Sequence, residues 1–312
     1  MRTKAVLVGA LIFGTLLCGC ARSERESPVP ERITLYIEQE SRIVTLDYTE
    51  YLTGCIFAAA DPSFQRETLF AVGIACSGQA LYRMSAVDNA GNTGRSEWFG
   101  ADLSTDTEKC PEWLSPEQLE QEYGDKYEEY FQRISGIAEE AAEIVPYYDG
   151  EPAELLLCRV SAGVTDDGGQ PYLPSLRLSA DKESRYYSCS TALTEEIVRK
   201  SISEAVGRVA LPPDREQWFT DEERTDSGTL VSIRFGETEL SGEQLRRALG
   251  LRSTNIGIKY AYGTFTFTTL GEGNNTGMSV YTAELLARGG SSAGEILEQF
   301  YPGIELKSCG GE

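Results

Sequence analysis

The stretch "TGCIFAAADPSFQRETLFAVG", residues 53–73, limits more than any other what this chain can become. It reads as two apolar helical segments hinged at Asp61-Pro62-Ser63, since proline interrupts a helix and its neighbours suit a turn. In the first segment Tyr51, Leu52, Cys55, Ile56 and Ala59 recur at helical spacing, which predicts one buried face, with Thr49 as the expected cap. The second helix is predicted over about 65–84, where Ala71, Gly73, Ala75, Cys76, Gly78 and Ala80 are small enough for a neighbouring element to approach closely. With 312 residues, 41% of them hydrophobic, the chain can surround such a pair with one large core or two smaller ones.

The rest reads as mixed secondary structure, an α+β pattern with no repeat period. Strands are expected at 33–37 and 43–46, and a long polar loop at 88–110. Ser115-Pro116 opens an acidic helical stretch reaching about 143. Strand-like runs follow at 144–148, 154–161 and 172–179, then a helix near 194–206. Further strands are expected at 230–235 and 264–270, with a helix at 243–249 and two short helices after Met278. The expected organisation is a signal at 1–20, a polar tether at 21–31, a helical part at 32–145, a strand-rich part at 146–307 and a tail at 308–312.

The amino terminus carries Arg2 and Lys4 before an apolar run at 5–17, too short for an ordinary spanning helix and suited to an export signal. Leu17-Cys18-Gly19-Cys20 resembles a bacterial lipobox, with Cys20 as the residue to be lipidated; an uncleaved anchor or a plain signal peptide would also fit. Each reading places the body outside the cytoplasmic membrane and tied to it or exported through it. Six cysteines remain, at 55, 76, 110, 158, 189 and 309, and their spacing singles out no pairing; buried free thiols are expected for Cys55 and Cys76. A formal charge of −21 argues against a nucleic-acid partner, which needs a basic surface. The absence of histidine removes the commonest general base and metal ligand, leaving carboxylates, hydroxyls, thiols and amines for any chemistry.

No P-loop, Cys-x-x-Cys, Gly-x-Ser-x-Gly or histidine-bearing zinc signature is present, and no cofactor is expected. What stands out is a set of phrases in a fixed order. "GEGNNTGMSVYTAELLARGGSSAGEILEQFYPGIEL" resembles the ending of the stage II sporulation protein D (SpoIID/LytB) family, through Gly271, Gly273, Gly277, Met278, Ser279 and the Tyr301-Pro302-Gly303 turn. "SGTLVSIRFGETELSGEQLRRALGLRS", "YYDGEPAELLLCRVSAGVT" and "PYLPSLRLSADKES" are similar to its internal segments. The opening hinge resembles its segment around "aaEMPasFepEAL" through Gly54, Phe64, Glu67, Leu69 and Ala71. The resemblance covers about residues 32–307.

That resemblance implies lytic transglycosylation of peptidoglycan glycan strands stripped of stem peptides, during engulfment of the forespore. It also implies a cleft between the helical hinge and the glycine-rich loop. One carboxyl group would act first as acid and then as base. Carried over from Gly54, the family's glutamate falls on Ala59, which cannot move a proton. Asp61 and Glu67 are the substitute candidates, Asp61 otherwise being a turn residue and Glu67 a first-turn helix carboxylate. The family's Ala-Arg-Thr-Tyr reads Cys76-Ser77-Gly78-Gln79 here, its loop histidine reads Asn274, and the glutamine after the loop reads Val280. Positions matching a clostridial zinc pattern read Trp98, Ser104, Lys109 and Cys110, so no metal is expected. Matched positions imply glycan contacts from Ser77, Gln79, Ser161, Thr165, Asn274, Asn275, Ser279 and Tyr281. Three functions follow as expectations. The first is a catalytically impaired relative that binds glycan strands or an engulfment partner, such as the engulfment amidase or a membrane protein. The second is a lytic transglycosylase using Asp61 or Glu67. The third is a structural lipoprotein whose acidic helix docks a partner.

Overall fold

The computed structural model describes residues 29–85 and 97–309. The expected signal and Cys20 lie outside them. The chain is an α+β protein built on two hydrophobic cores. β1 (Arg32–Ile37) and β2 (Arg42–Asp47) pair antiparallel, with Leu35 opposite Val44, and lead into α1 (Tyr48–Ala59) and α2 (Arg66–Ser85). The α1 cap position is Asp47 rather than Thr49, which lies one residue inside the helix. β3 (Leu103–Ser104) joins the other edge of β1 in parallel. The acidic stretch is two helices, not one: α3 (Pro116–Tyr123) starts on a Ser115/Gln118 capping box and stops at Gly124, whose positive φ of 52° breaks the helix before α4 (Tyr127–Ala142). β4 (Ile144–Tyr148), β5 (Glu151–Pro152) and β6 (Leu157–Cys158) follow.

Next come β7 (Ser188–Thr194), α5 (Glu195–Val206), β8 (Phe219–Arg224), β9 (Leu230–Phe235), β10 (Thr238–Ser241), α6 (Gly242–Leu249), β11 (Asn255–Ala261) and β12 (Thr264–Leu270). They form two three-stranded antiparallel sheets, in order β11-β12-β7 and β10-β9-β8, with α5 and α6 beside them. Their core is aromatic: Trp218 stacks on Phe265 at 5.4 Å and Phe219 meets Phe235 at 4.9 Å. β13 (Met278–Ser279), α7 (Val280–Arg288), α8 (Ala293–Phe300) and β14 (Glu305–Ser308) return to the larger core, where β14 pairs with β4 and β13 runs parallel to β6. The cores therefore divide the chain as a body with an insertion, residues 198–267 forming the smaller one.

α2 is the axis of the larger core and packs against α1, α4, α7 and α8. Its small residues do what the sequence suggests: a Cβ on Gly73 would lie 2.8 Å from Ala141 of α4, so only glycine permits that approach. Each aliphatic side chain buried here contributes about 1.5–3 kcal/mol. The hinge between α1 and α2 is fastened from three other elements. Buried Glu284 of α7 accepts hydrogen bonds from the Gln65 N–H (2.9 Å) and Thr68 Oγ1 (2.8 Å), closing the open N-terminus of α2. Arg133 of α4 donates to the carbonyls of Pro62 and Phe64, the latter at 2.7 Å. Glu67 reaches across to the Ala293 N–H at the start of α8, at 2.8 Å. Among the described residues, no helix is long and apolar enough to cross a membrane.

Candidate functional site

A cleft of ≈ 630 Å³ opens between the two cores. α1 and α2 contribute Cys55, Ala58, Ala59, Cys76 and Gln79, and the facing lining comes from residues 156–159, the loop 272–274, α6 and the segments around 230 and 252. Glycine shapes the loop. At Gly277 (φ +72°) a Cβ would sit 1.9 Å from the Leu156 carbonyl, so any other residue would push the loop off the strand it lies on. Glu272 and Val160 exchange two backbone hydrogen bonds (2.7 and 3.2 Å), and the Gly273 N–H donates to Arg252 O at 2.9 Å. The loop is thus stitched to both neighbouring segments.

Two polar clusters hold this frame from behind. Asp181, fully buried, accepts from the Ser161 N–H (2.7 Å), Ser279 Oγ (3.0 Å) and Thr282 Oγ1 (2.6 Å), tying three segments to one carboxylate. Asn275, at φ +63°, donates through Nδ2 to Val164 O (3.0 Å) and Thr229 Oγ1 (3.1 Å) and accepts from the Ala162 N–H (2.8 Å).

The expected glycan contacts separate accordingly. Gln79 and the exposed Asn274 line the cleft. Ser77 is buried against the Tyr48 hydroxyl at 3.0 Å. Ser161, Thr165, Asn275 and Ser279 are buried frame residues, Thr165 accepting from the Leu176 N–H at 2.8 Å. Half-buried Tyr281 lies outside the lining, its N–H bonded to Arg159 O at 3.0 Å. Small hydroxyl and amide side chains in this family-like pattern thus serve mainly as internal partners for loop backbone.

The substitute acids are also elsewhere. Asp61 is exposed and accepts from its own turn, from the Ser63 N–H (2.9 Å) and Ser63 Oγ (2.6 Å). Glu67 is occupied by Ala293 and by Arg66 at 3.3 Å. Neither lines the cleft, whereas Ala59 does. Sequence reasoning missed the charged residues that do: Glu108, Glu112, Glu243 and Glu272, with Arg159, Arg246 and Arg252. Glu272 is paired with Arg159 at 3.2 Å and Glu243 with Arg246 at 2.5 Å. For Glu272 a signal was available, its place between Gly271 and Gly273, which forces it onto the loop's edge.

Four carboxylates against three guanidiniums leave the lining at 4 − 3 = one net negative charge, in a chain of −21. The thiols on the lining are all buried and unpaired. Burial pushes Cys76 up to about 12 and Cys110 up to about 11, and raises Cys55 and Cys158 strongly, so none is a thiolate nucleophile at neutral pH. Of the positions matching the zinc pattern, Trp98 and Cys110 are core residues, Ser104 lies in β3 and Lys109 pairs with Glu97. Among the described residues, no group of three or more His, Cys, Asp or Glu side chains is placed to hold a metal ion.

Fold and site together define a two-core α+β protein with a polar, glycine-walled cleft between the cores. Stage II sporulation protein D of Bacillus amyloliquefaciens is 25% identical over 298 residues, 93% of this chain and 82% of that protein. The protein of the same name from Bacillus subtilis (strain 168) is 24% identical over 301 residues, with the same two shares. No family model matches the chain. The chain is thus similar to stage II sporulation protein D along most of its length.

Proposed function

We propose that this protein acts in sporulation at the cell wall, held outside the membrane by its amino terminus, and binds peptidoglycan glycan strands in the cleft without cleaving them. One observation carries this reading: the cleft is formed, but Ala59 stands on its lining where the family resemblance puts the acid. A nearly charge-balanced lining on a strongly acidic protein suits a polar, weakly charged polymer. Gln79, Asn274 and the Arg159–Glu272 pair supply hydrogen-bonding groups for it. An engulfment amidase and membrane proteins are the proposed protein partners. The test incubates the soluble protein with purified, amidase-treated glycan strands, measuring co-sedimentation and 1,6-anhydro-muramyl ends. Sedimentation without new ends is the expected result. Failure to sediment would sink the glycan reading, and new ends that vanish in Glu272→Gln would make the protein a cleaving enzyme acting through the carboxylate on the loop.

A further inference from the structure

A second groove, ≈ 980 Å³, lies away from α2, between β2 and the segment 112–118 that leads into α3. β2 is an edge strand: it pairs with β1 and nothing else in its sheet. Its sequence Arg-Ile-Val-Thr-Leu-Asp has no proline, lysine, glycine or register shift, the usual devices that keep an edge from accepting another strand. Val44 and Leu46 stand opposite Leu35 and Ile33, so they share the core-facing side of the sheet, yet they remain half-buried because the groove runs beneath them. Ile43, on the other face, is 43% exposed.

The groove is acidic. Five glutamates line it against Arg42 and Arg247, a balance of 2 − 5 = −3. Both arginines are already engaged, Arg42 with Glu40 and Arg247 with Asp106 at 3.0 Å. Glu38, Glu50, Glu112 and Glu117 make no ion pair among the described residues. An open strand edge, an apolar crevice under it and unanswered carboxylates around it specify complementary chemistry: an extended chain with aliphatic side chains at alternate positions and cationic ones between them.

We propose that β2 and the groove beneath it form a docking site for an extended, basic segment of a partner protein, which adds to the sheet as a strand beside β2. The aliphatic side chains fill the space beside Val44 and Leu46, and the cations meet Glu38 and Glu117. The groove adjoins the cleft and shares Thr107 and Glu112 with it, whereas β2, Glu38 and Glu117 line the groove alone, so a strand added along β2 leaves the α1, α2 and 272–274 walls of the cleft uncovered.

The test uses the soluble protein and three labelled heptapeptides: alternating lysine and valine, alternating glutamate and valine, and alternating lysine and serine. Affinity is read by fluorescence anisotropy and backbone protection by hydrogen exchange of residues 42–47. The lysine–valine peptide should bind at least tenfold more tightly than either other peptide, weaken as salt rises, and slow exchange across 42–47. Glu38→Lys with Glu117→Lys, both on exposed positions, should weaken it at least tenfold with only a small fall in the thermal midpoint, since Glu117 also sits in the first turn of α3. Equal binding of the glutamate–valine peptide, binding without protection of 42–47, or no binding at millimolar peptide would each overturn the proposal. So would slow exchange, in the free protein, of the alternate 42–47 amides that point away from β1, which would assign the edge to a second copy or another segment of this chain.

Discussion

Raising the pH from 8 to 10 is expected to remove about 5 kcal/mol of folding stability, because four buried thiols of the cleft lining keep their protons in the folded state and lose them when the chain unfolds. An unfolded cysteine titrates near its ordinary value of 9.0, whereas burial carries Cys110 to about 11, Cys76 to about 12, and Cys55 and Cys158 well upward. The folded values are raised, so their contribution is fully present below 9.0 and is lost as pH rises toward and through the folded values. Between pH 8 and 10 each thiol accounts for about 1 to 2 kcal/mol. Four of them match the lower end of the total stability of ordinary domains, about 5–15 kcal/mol. Tyr48, Tyr51 and Tyr301 are raised by burial from 10.0, so they begin to add to the loss as pH nears that value and do so mainly above it. Urea unfolding followed by tryptophan fluorescence at pH 7, 8, 9 and 10, with a reductant present, measures the slope. Cys76→Ala should flatten it by about a quarter over the range. Equal stability at pH 8 and 10, or a slope untouched by that substitution, would refute the reasoning.

Three substitutions probe the frame. Glu284→Ala leaves the Gln65 N–H and Thr68 Oγ1 without their buried acceptor and should lower the urea-derived stability by about 3 kcal/mol. Asp181→Ala strands three buried donors, so a loss of about 4 kcal/mol is expected by the same measurement, together with reduced co-sedimentation with glycan. Asp61→Asn and Glu67→Gln should leave co-sedimentation within about twofold of the unsubstituted protein, since both carboxylates serve turns and helix ends outside the cleft, where such groups contribute about 0.3–1 kcal/mol.

The helical hinge was legible because its signals are local: proline at 62, apolar spacing before it and small residues after it. α2 spans Arg66–Ser85 against the expected 65–84. The strands at 144–148, 230–235 and 264–270 announced themselves by apolar content. β7 did not, because Ser-Cys-Ser-Thr-Ala-Leu-Thr is an edge strand whose outward positions are small and polar. β11 does carry a period-two pattern, Ile256, Ile258 and Tyr260 on one face and Gly257 and Lys259 on the other, but glycine and lysine are poor strand formers and weaken its signal. Where strands were expected at 154–161 and 172–179, only Leu157–Cys158 is one; the rest is loop held by side chains such as Thr165 and Asp181, a tertiary effect no local pattern reports. The cleft's place between hinge and glycine loop was readable from the order of phrases. Its charged lining was not, because Glu108, Arg159, Glu243 and Arg252 come from segments far apart in the chain and meet only through the two-core packing. Which serines and asparagines face ligand and which face loop backbone is likewise decided by burial, not by residue type.

The substitution that bears most directly on Ala59 is Ala59→Glu, which returns a carboxyl group to the cleft lining at the position where the family resemblance puts it. Amidase-treated glycan strands are incubated with the unsubstituted protein and with the variant, and 1,6-anhydro-muramyl ends are counted. None above background is expected from the unsubstituted protein, and a measurable yield from Ala59→Glu. Ends released by the unsubstituted protein to the same extent as by the variant would contradict that expectation.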